Sequence, residues 1–168
     1  MPQPVTAYVG LGSNLEQPAA QIARALAELA GLPDTRLSAR SPLYKSPPMG
    51  RQDQPDFINA VAALETRLTP QALLQALLVI EAQHGRRRDG MRWGPRSLDM
   101  DLLLYGDTLL DTPDLVLPHP GMHERAFVLY PLADIAPGLS VPGHGSVQAL
   151  LARCRDTRIE RLEVETRE

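Results

Sequence analysis

Hydrophobic and polar positions along the chain switch repeatedly between a period of two and a period of three to four, and the switches predict the order of elements. Residues 5–9, VTAYV, combine β-branched and aromatic side chains, which predicts a first strand that turns at Gly10 and Gly12. Ile22, Leu26 and Leu29 then recur at helical spacing between Pro18, suited to a first helical turn, and the closing pair Gly31 and Pro33. TRLSARSPLYKS, residues 35–46, alternates as a second strand in which Pro42 requires an edge position or a break. The three prolines and one glycine of residues 46–55 predict a loop. DFINAVAALET, residues 56–66, reads as a third strand, with Phe57, Asn59 and Val61 on one face and Ile58, Ala60 and Ala62 on the other. Thr69 and Pro70 open a second helix whose stripe of Leu73, Leu77 and Ile80 ends at Gly85, with Glu81 on its flank beside Leu77 and Leu78. Residues 86–96 form a loop rich in arginine and glycine, 98–105 a fourth strand, 106–118 a hairpin or edge strand, 124–136 a helix, and the tail a short helix and a terminal strand.

Strand, helix, strand, strand, helix, strand is the split arrangement of an α+β protein. It predicts a ferredoxin-like βαββαβ antiparallel sheet with helices packed on one face, plus C-terminal additions. A length of 168 residues suits one domain spanning 1–168, and 43% hydrophobic against 22% charged residues places the chain with folded rather than disordered proteins. The lone Cys154 excludes an internal disulfide framework and a cysteine-based zinc cluster. The first residues lack the basic start and apolar core of an export signal, and no apolar run approaches the ~18 residues of a membrane span, so a cytoplasmic location is expected. A net charge of −3 with 4% aromatic residues argues against a nucleic-acid or membrane partner, and the absence of an apolar surface seam predicts a monomer.

Charge distribution sharpens the picture where the sum does not. Five arginines, Arg86, Arg87, Arg88, Arg92 and Arg96, stand against the single acid Asp89 directly before the fourth strand. That strand opens RWGPRSLDMDLLLYG, residues 92–106, so Asp99 and Asp101 project to one face and Leu98, Met100 and Leu102 to the other. The two aspartate α-carbons are then roughly 6.6 to 7 Å apart, a span over which carboxylates hold two hard cations about 3.5 to 4 Å from each other. Aligned carboxylates repel, and a metal or a nearby arginine relieves them; the D-x-D spacing alone is equally that of solvated acids on an exposed strand. Guanidinium forks beside a diacid suit polyphosphate oxygens held with magnesium, and Gly85, Gly90 and Gly94 let the arginine segment close over a reactive anhydride. Trp93 either caps a ligand or anchors that segment. The only phenylalanines, Phe57 and Phe127, are either core residues or stacking plates for a flat heterocycle, and Asn59 offers paired donor and acceptor groups beside Phe57. His119 and His123, flanked by Pro118 and Pro120, belong near anionic phosphates or in surface turns.

These segments together, AYVGLGSN (7–14), SPLYKSPPMGRQDQPDFINAVAALET (41–66), RWGPRSLDMDLLLYG (92–106) and VLPHPGMHERAFVLYPLADIAP (116–137), resemble the 6-hydroxymethyl-7,8-dihydropterin pyrophosphokinase family over about the first four-fifths of the chain. The resemblance implies transfer of the β,γ-diphosphate of ATP to the pterin hydroxymethyl group with release of AMP, a step of folate biosynthesis. It implies that Asp99 and Asp101 hold two Mg2+ ions and that Arg86 and Arg96 engage the phosphates as catalytic residues. Glu81, Arg88, Trp93, Leu102, His119 and Arg125 fall on the ATP side, and Ser46, Pro47, Met49, Phe57, Asn59 and Phe127 on the pterin side, with the two phenylalanines as a sandwich. The chain departs from the family pattern at Leu78, Pro120 and His123, positions near the nucleotide and its phosphates.

Overall fold

The computed structural model describes residues 3–14, 17–47, 55–85, 98–155 and 158–162. In chain order its first elements are β1 (Val5–Ser13), α1 (Pro18–Ala30), β2 (Thr35–Arg40), β3 (Tyr44–Ser46), β4 (Phe57–Thr66), α2 (Pro70–Gly85) and β5 (Asp99–Tyr105). A small hairpin of β6 (Leu110–Asp111) and β7 (Val116–Leu117) follows, then a 3-10 turn at Met122–Glu124 and α3 (Ala126–Ile135). A second small hairpin of β8 (Ser140–Val141) and β9 (Gly145–Ser146), α4 (Val147–Arg153) and β10 (Glu160–Arg161) complete the described chain.

The main sheet runs β10-β3-β4-β1-β5, with β2 also paired to β4. All described pairings in it are antiparallel. The first strand does not turn at its glycines. Flanked on both sides, β1 pairs Gly10 with Val61 and Asp101, and Gly12 with Asn59 and Asp99, so two ladders of hydrogen bonds override the weak strand preference of glycine. The proline expected to break the second strand does so. Ser41 carries the ladder across the break: its N–H donates to the Val61 carbonyl at 2.9 Å and its hydroxyl oxygen accepts from the Val61 N–H at 3.0 Å. β2 and β3 therefore lie end to end along β4.

One apolar layer joins Ala7, Val9 and Leu11 of β1, Ala60, Ala62 and Leu64 of β4, and Met100 and Leu102 of β5 to Ile22, Leu26 and Leu29 of α1 and Leu73, Leu77 and Ile80 of α2. Between those helices His84 is wholly buried, with Nδ1 2.7 Å from Gln21 Oε1 and Nε2 2.8 Å from Glu28 Oε1, a polar tie that fixes the last turn of α2 to α1. A second layer places Val61 and Leu103 against Val128, Leu129 and Leu132 of α3, with Val147 and Leu150 of α4 behind them. Helices α1 and α2 of the expected βαββαβ unit thus share one face of the sheet, and the later helices α3 and α4 cover the other. The physical cause lies in the strands. Residues 58–64 of β4 are buried on both sides, and Leu102, Leu103 and Leu104 form an unbroken apolar run of the kind that needs cover above and below.

Candidate active site

On the α3 face a cavity of about 390 Å³ opens over three adjacent strands, β4, β1 and β5. Its floor is laid by cross-strand registry. Asn59, Gly12 and Asp99 make one row, and Val61, Gly10 and Asp101 the next. Strands lie 4.7 to 4.9 Å apart, so the outer members of each row are separated by about 10 Å, and the space between them stays open because the middle strand carries no side chain there. A Cβ on Gly12 would come within 3.0 Å of Asn59 Oδ1, and one on Gly10 would meet Leu103 Cδ1 at 3.4 Å. The G-x-G of the opening strand is therefore the cavity floor, a role that glycine inside a strand signals through close approach rather than through a turn.

The β5 side of the cavity is acidic. Asp99 and Asp101 line it together, and Glu81 reaches it from α2. Glu81 Oε2 accepts the Met100 N–H at 2.7 Å, which satisfies an outward donor of the terminal strand β5 and fixes the carboxylate beside the aspartates. Asp101 is half exposed, its side chain 48% accessible, and its Oδ1 faces His119 Nε2 at 3.6 Å. The His119 backbone N–H donates to the Leu103 carbonyl at 2.9 Å, and its Nδ1 lies 2.8 Å from the Pro120 carbonyl. That carbonyl can only accept, so Nδ1 bears a proton and Nε2 is the atom turned toward Asp101. Arg125 adds a cation at the N-terminal end of α3, with Cζ 5.9 Å from the Phe127 ring centroid, within cation–π range.

The opposite side is aromatic and neutral. Phe57 of β4 and Phe127 of α3 both line the cavity, as do Ser46 and Pro47. Asn59 Nδ2 donates to Ser46 Oγ at 2.7 Å, which fixes the amide plane and leaves Oδ1 over Gly12 as an acceptor. Sequence distances of up to 81 residues thus collapse into one site: Ser46, Pro47, Phe57, Asn59, Glu81, Asp99, Asp101, Arg125 and Phe127 all line it.

Other expected site residues fall elsewhere. Leu102 is turned to the α1 and α2 face, 2% exposed within that apolar layer, and does not line the cavity. His123, within the 3-10 turn, stacks on His144, ring centroids 3.9 Å apart. Met49, Arg86, Arg88, Trp93 and Arg96 lie outside the described residues. Gly10, Gly12, Leu11, Ala60, Leu103 and Val128 line the cavity without having been singled out for it, and only the glycines left a trace in the sequence.

Comparison with known proteins adds identity to this geometry. The model of the 7,8-dihydro-6-hydroxymethylpterin-pyrophosphokinase (HPPK) family matches residues 8–137, which include every described residue of the cavity. The chain is 57% identical over 155 residues to the 2-amino-4-hydroxy-6-hydroxymethyldihydropteridine pyrophosphokinase of Pseudomonas aeruginosa, covering 92% of this chain and 95% of the relative. The enzyme of the same name from Haemophilus influenzae is 44% identical over 158 residues, covering 94% of this chain and 98% of the relative. Among solved structures, an HPPK-DHPS in complex with substrates superposes with a TM-score of 0.72 at 12% identity, and wild-type Plasmodium falciparum HPPK-DHPS with 0.70 at 14%. The superpositions cover 97% and 96% of this chain but only 47% and 45% of those longer chains, and they support the fold alone. Matched over most of its length and closely similar to named enzymes, the chain belongs to the 7,8-dihydro-6-hydroxymethylpterin-pyrophosphokinase family, the pyrophosphokinases of folate synthesis.

Proposed function

We propose that the protein transfers the β,γ-diphosphate of ATP to 6-hydroxymethyl-7,8-dihydropterin in the presence of Mg2+, giving the pterin diphosphate and AMP. The observation that carries the reading is that one cavity is lined both by Asp99 and Asp101 and by the rings of Phe57 and Phe127, with the β4 and β5 positions about 10 Å apart across β1. A flat heterocycle fits between the phenylalanines, read by Asn59 Oδ1 and bounded by Ser46 and Pro47. Its hydroxymethyl arm then reaches over the glycine floor toward the aspartates.

The residues present fit magnesium. Two carboxylates offer oxygen donors only, and among the described residues no group of three or more His, Cys, Asp or Glu forms a self-contained metal cage. Mg2+ takes one or two carboxylates and completes its shell with water and substrate phosphate oxygens, so Asp99 and Asp101 are the residues to hold it. When bound, the metal supplies neutralisation of phosphate charge and a lowered pKa for the acceptor hydroxyl. The chain's own part is positioning. Phe57 and Phe127 orient the acceptor, Arg125 brings its guanidinium to the cavity, His119 stands beside Asp101, and Glu81 holds the start of β5 in place. Arg86, Arg96, Arg88 and Trp93 belong to the same reading as phosphate and nucleotide contacts.

The order β5-β1-β4 followed by β2 and β3 is read as the ferredoxin-like arrangement, and everything after β5 as its C-terminal additions. The same reading treats residues 1–168 as one domain, a cytoplasmic monomer without nucleic-acid or membrane partner. No described helix is long and apolar enough to cross a membrane. The decisive assay mixes protein, MgATP and the hydroxymethyl-dihydropterin and separates the nucleotides. AMP appearing in step with pterin diphosphate is the expected result; ADP, or no pterin-dependent nucleotide product, overturns the assignment.

A further inference from the structure

Helix α3 supplies Phe127 to the aromatic wall, yet it is poorly held by its own residues. Arg125 at its N-cap makes no side-chain capping bond, and Pro131 lies inside the helix. A proline there cannot donate to the carbonyl four residues back, which is that of Phe127. At the other end Asp134 sits in the last turn, where a carboxylate opposes the helix dipole. The carboxylate at this end needs a partner from outside the helix.

The structure shows that partner. Tyr44 of β3, 5% exposed, donates its hydroxyl to Asp134 Oδ2 and packs its ring against Tyr130 at 6.3 Å between centroids. Asp134 Oδ1 lies 4.0 Å from an Arg161 guanidinium nitrogen. Arg161 belongs to β10, which pairs with β3 opposite Tyr44 and is continued by the Leu162 N–H donating to the Leu43 carbonyl at 2.8 Å.

Two parallel rails result. On α3, Phe127, Tyr130 and Asp134 are spaced i, i+3, i+7 and share one helix face, about 10 Å from end to end. On β3, Tyr44 and Ser46 are spaced i, i+2 and share one strand face. Tyr44 meets Tyr130 and Asp134 at one end of the rails, while Ser46 and Phe127 line the cavity at the other. We propose that Tyr44, Asp134 and Arg161 are positioning residues that set the gap between Phe127 and the Ser46–Asn59 pair, so that the C-terminal strand, outside the matched residues 8–137, tunes affinity for the acceptor. The inference rests on the pterin assignment of the aromatic wall.

The test measures KM for the pterin and for ATP, with the pterin dissociation constant, in Tyr44→Phe, Arg161→Ala, Asp134→Ala and the Tyr44→Phe/Asp134→Ala double variant of the full chain. Loss of a hydrogen bond to a charged group at one end of the rails is expected to raise pterin KM and dissociation constant about three- to ten-fold in Tyr44→Phe and Asp134→Ala. A smaller rise, about two-fold, is expected in Arg161→Ala, whose contact is longer and half exposed. ATP KM stays within about two-fold throughout, and the double variant is no worse than Asp134→Ala, because the pair acts as one unit. Leu26→Ala, which weakens the opposite apolar layer, serves as the comparator. Unchanged pterin affinity in both Tyr44→Phe and Asp134→Ala overturns the proposal, as does a parallel rise of both KM values or an equal pterin effect in Leu26→Ala. Wild-type protein that yields no pterin-dependent AMP overturns the functional reading beneath it, and is distinguished by that control.

Discussion

Along β5, Met100 and Leu102 lie in the dry layer under α1 and α2, whereas Asp99 and Asp101, each one residue away, line the cavity on the α3 face. The same contrast holds on β1, where Val9 and Leu11 fill the first layer and Gly10 and Gly12 leave the second open. One face of the sheet is packed for stability along its whole length. The other is packed only under α3 and α4 and is kept empty at its end by missing side chains. Strand alternation separates the two duties along these stretches, and a register shift in β5 lets Leu103 and Leu104 both join the second layer. Substitutions on the two faces should therefore fail in different ways.

The largest separation is expected from the aspartates. Asp99→Ala or Asp101→Ala should lower turnover by about 10³-fold or more, with only modest loss of pterin binding and a melting midpoint within a few degrees of wild type. Product assays and calorimetry on the same samples check this, and near-normal turnover in either variant removes the metal role. Leu77→Ala should do the reverse. It empties a fully buried position under the sheet and should cost about 2 to 5 kcal/mol in denaturant unfolding, while kcat per folded molecule stays at wild-type level.

A smaller effect is expected where the empty face is filled. Gly12→Ala brings a methyl group to 3.0 Å from Asn59 Oδ1, so the amide must shift, and pterin affinity should fall about ten-fold with ATP affinity unchanged. Calorimetric titration with each ligand separates the two. The smallest effect concerns alkaline stability. Burial, then the hydrogen bond to Asp134, raise the Tyr44 pKa above its ordinary 10.0, so the folded state retains a proton that the unfolded chain loses. This contribution is complete below pH 10 and declines as pH rises through the folded-state value. Burial also raises Tyr8 and Tyr105, which share the trend. Unfolding curves between pH 8 and 11 should therefore slope less steeply in Tyr44→Phe than in wild type; an equal slope removes Tyr44 from the network.

Much of this division is legible in the chain. Helical spacing of Ile22, Leu26 and Leu29, and of Leu73, Leu77 and Ile80, gives the helices of the first layer with their buried stripes. Alternation through Phe57, Asn59 and through Asp99, Asp101 puts those pairs on one face, as the cavity requires. Pro42 marks the break between β2 and β3. What escaped was set by partners distant in sequence. Glycines in β1 look like a turn until β4 and β5 flank them. Cover of both faces was written in the run Leu102 to Leu104 and in the alanines of β4, but a short apolar run does not say which helix covers it. The bond from Glu81 to the Met100 N–H joins residues 19 apart on different elements and has no local signature. Leu102, adjacent to Asp101 in sequence, faces the first apolar layer and away from the cavity.

In the proposed function, Asp99 and Asp101 jointly gather divalent ions at the acidic wall. Crystals grown with a non-hydrolysable ATP analogue and Mn2+, a stand-in for Mg2+ with anomalous scattering, test it directly. Anomalous peaks bonded to oxygens of both carboxylates, with triphosphate oxygens completing the shell, are the predicted result. A triphosphate seated elsewhere, or Mn2+ bound without either aspartate, contradicts the account.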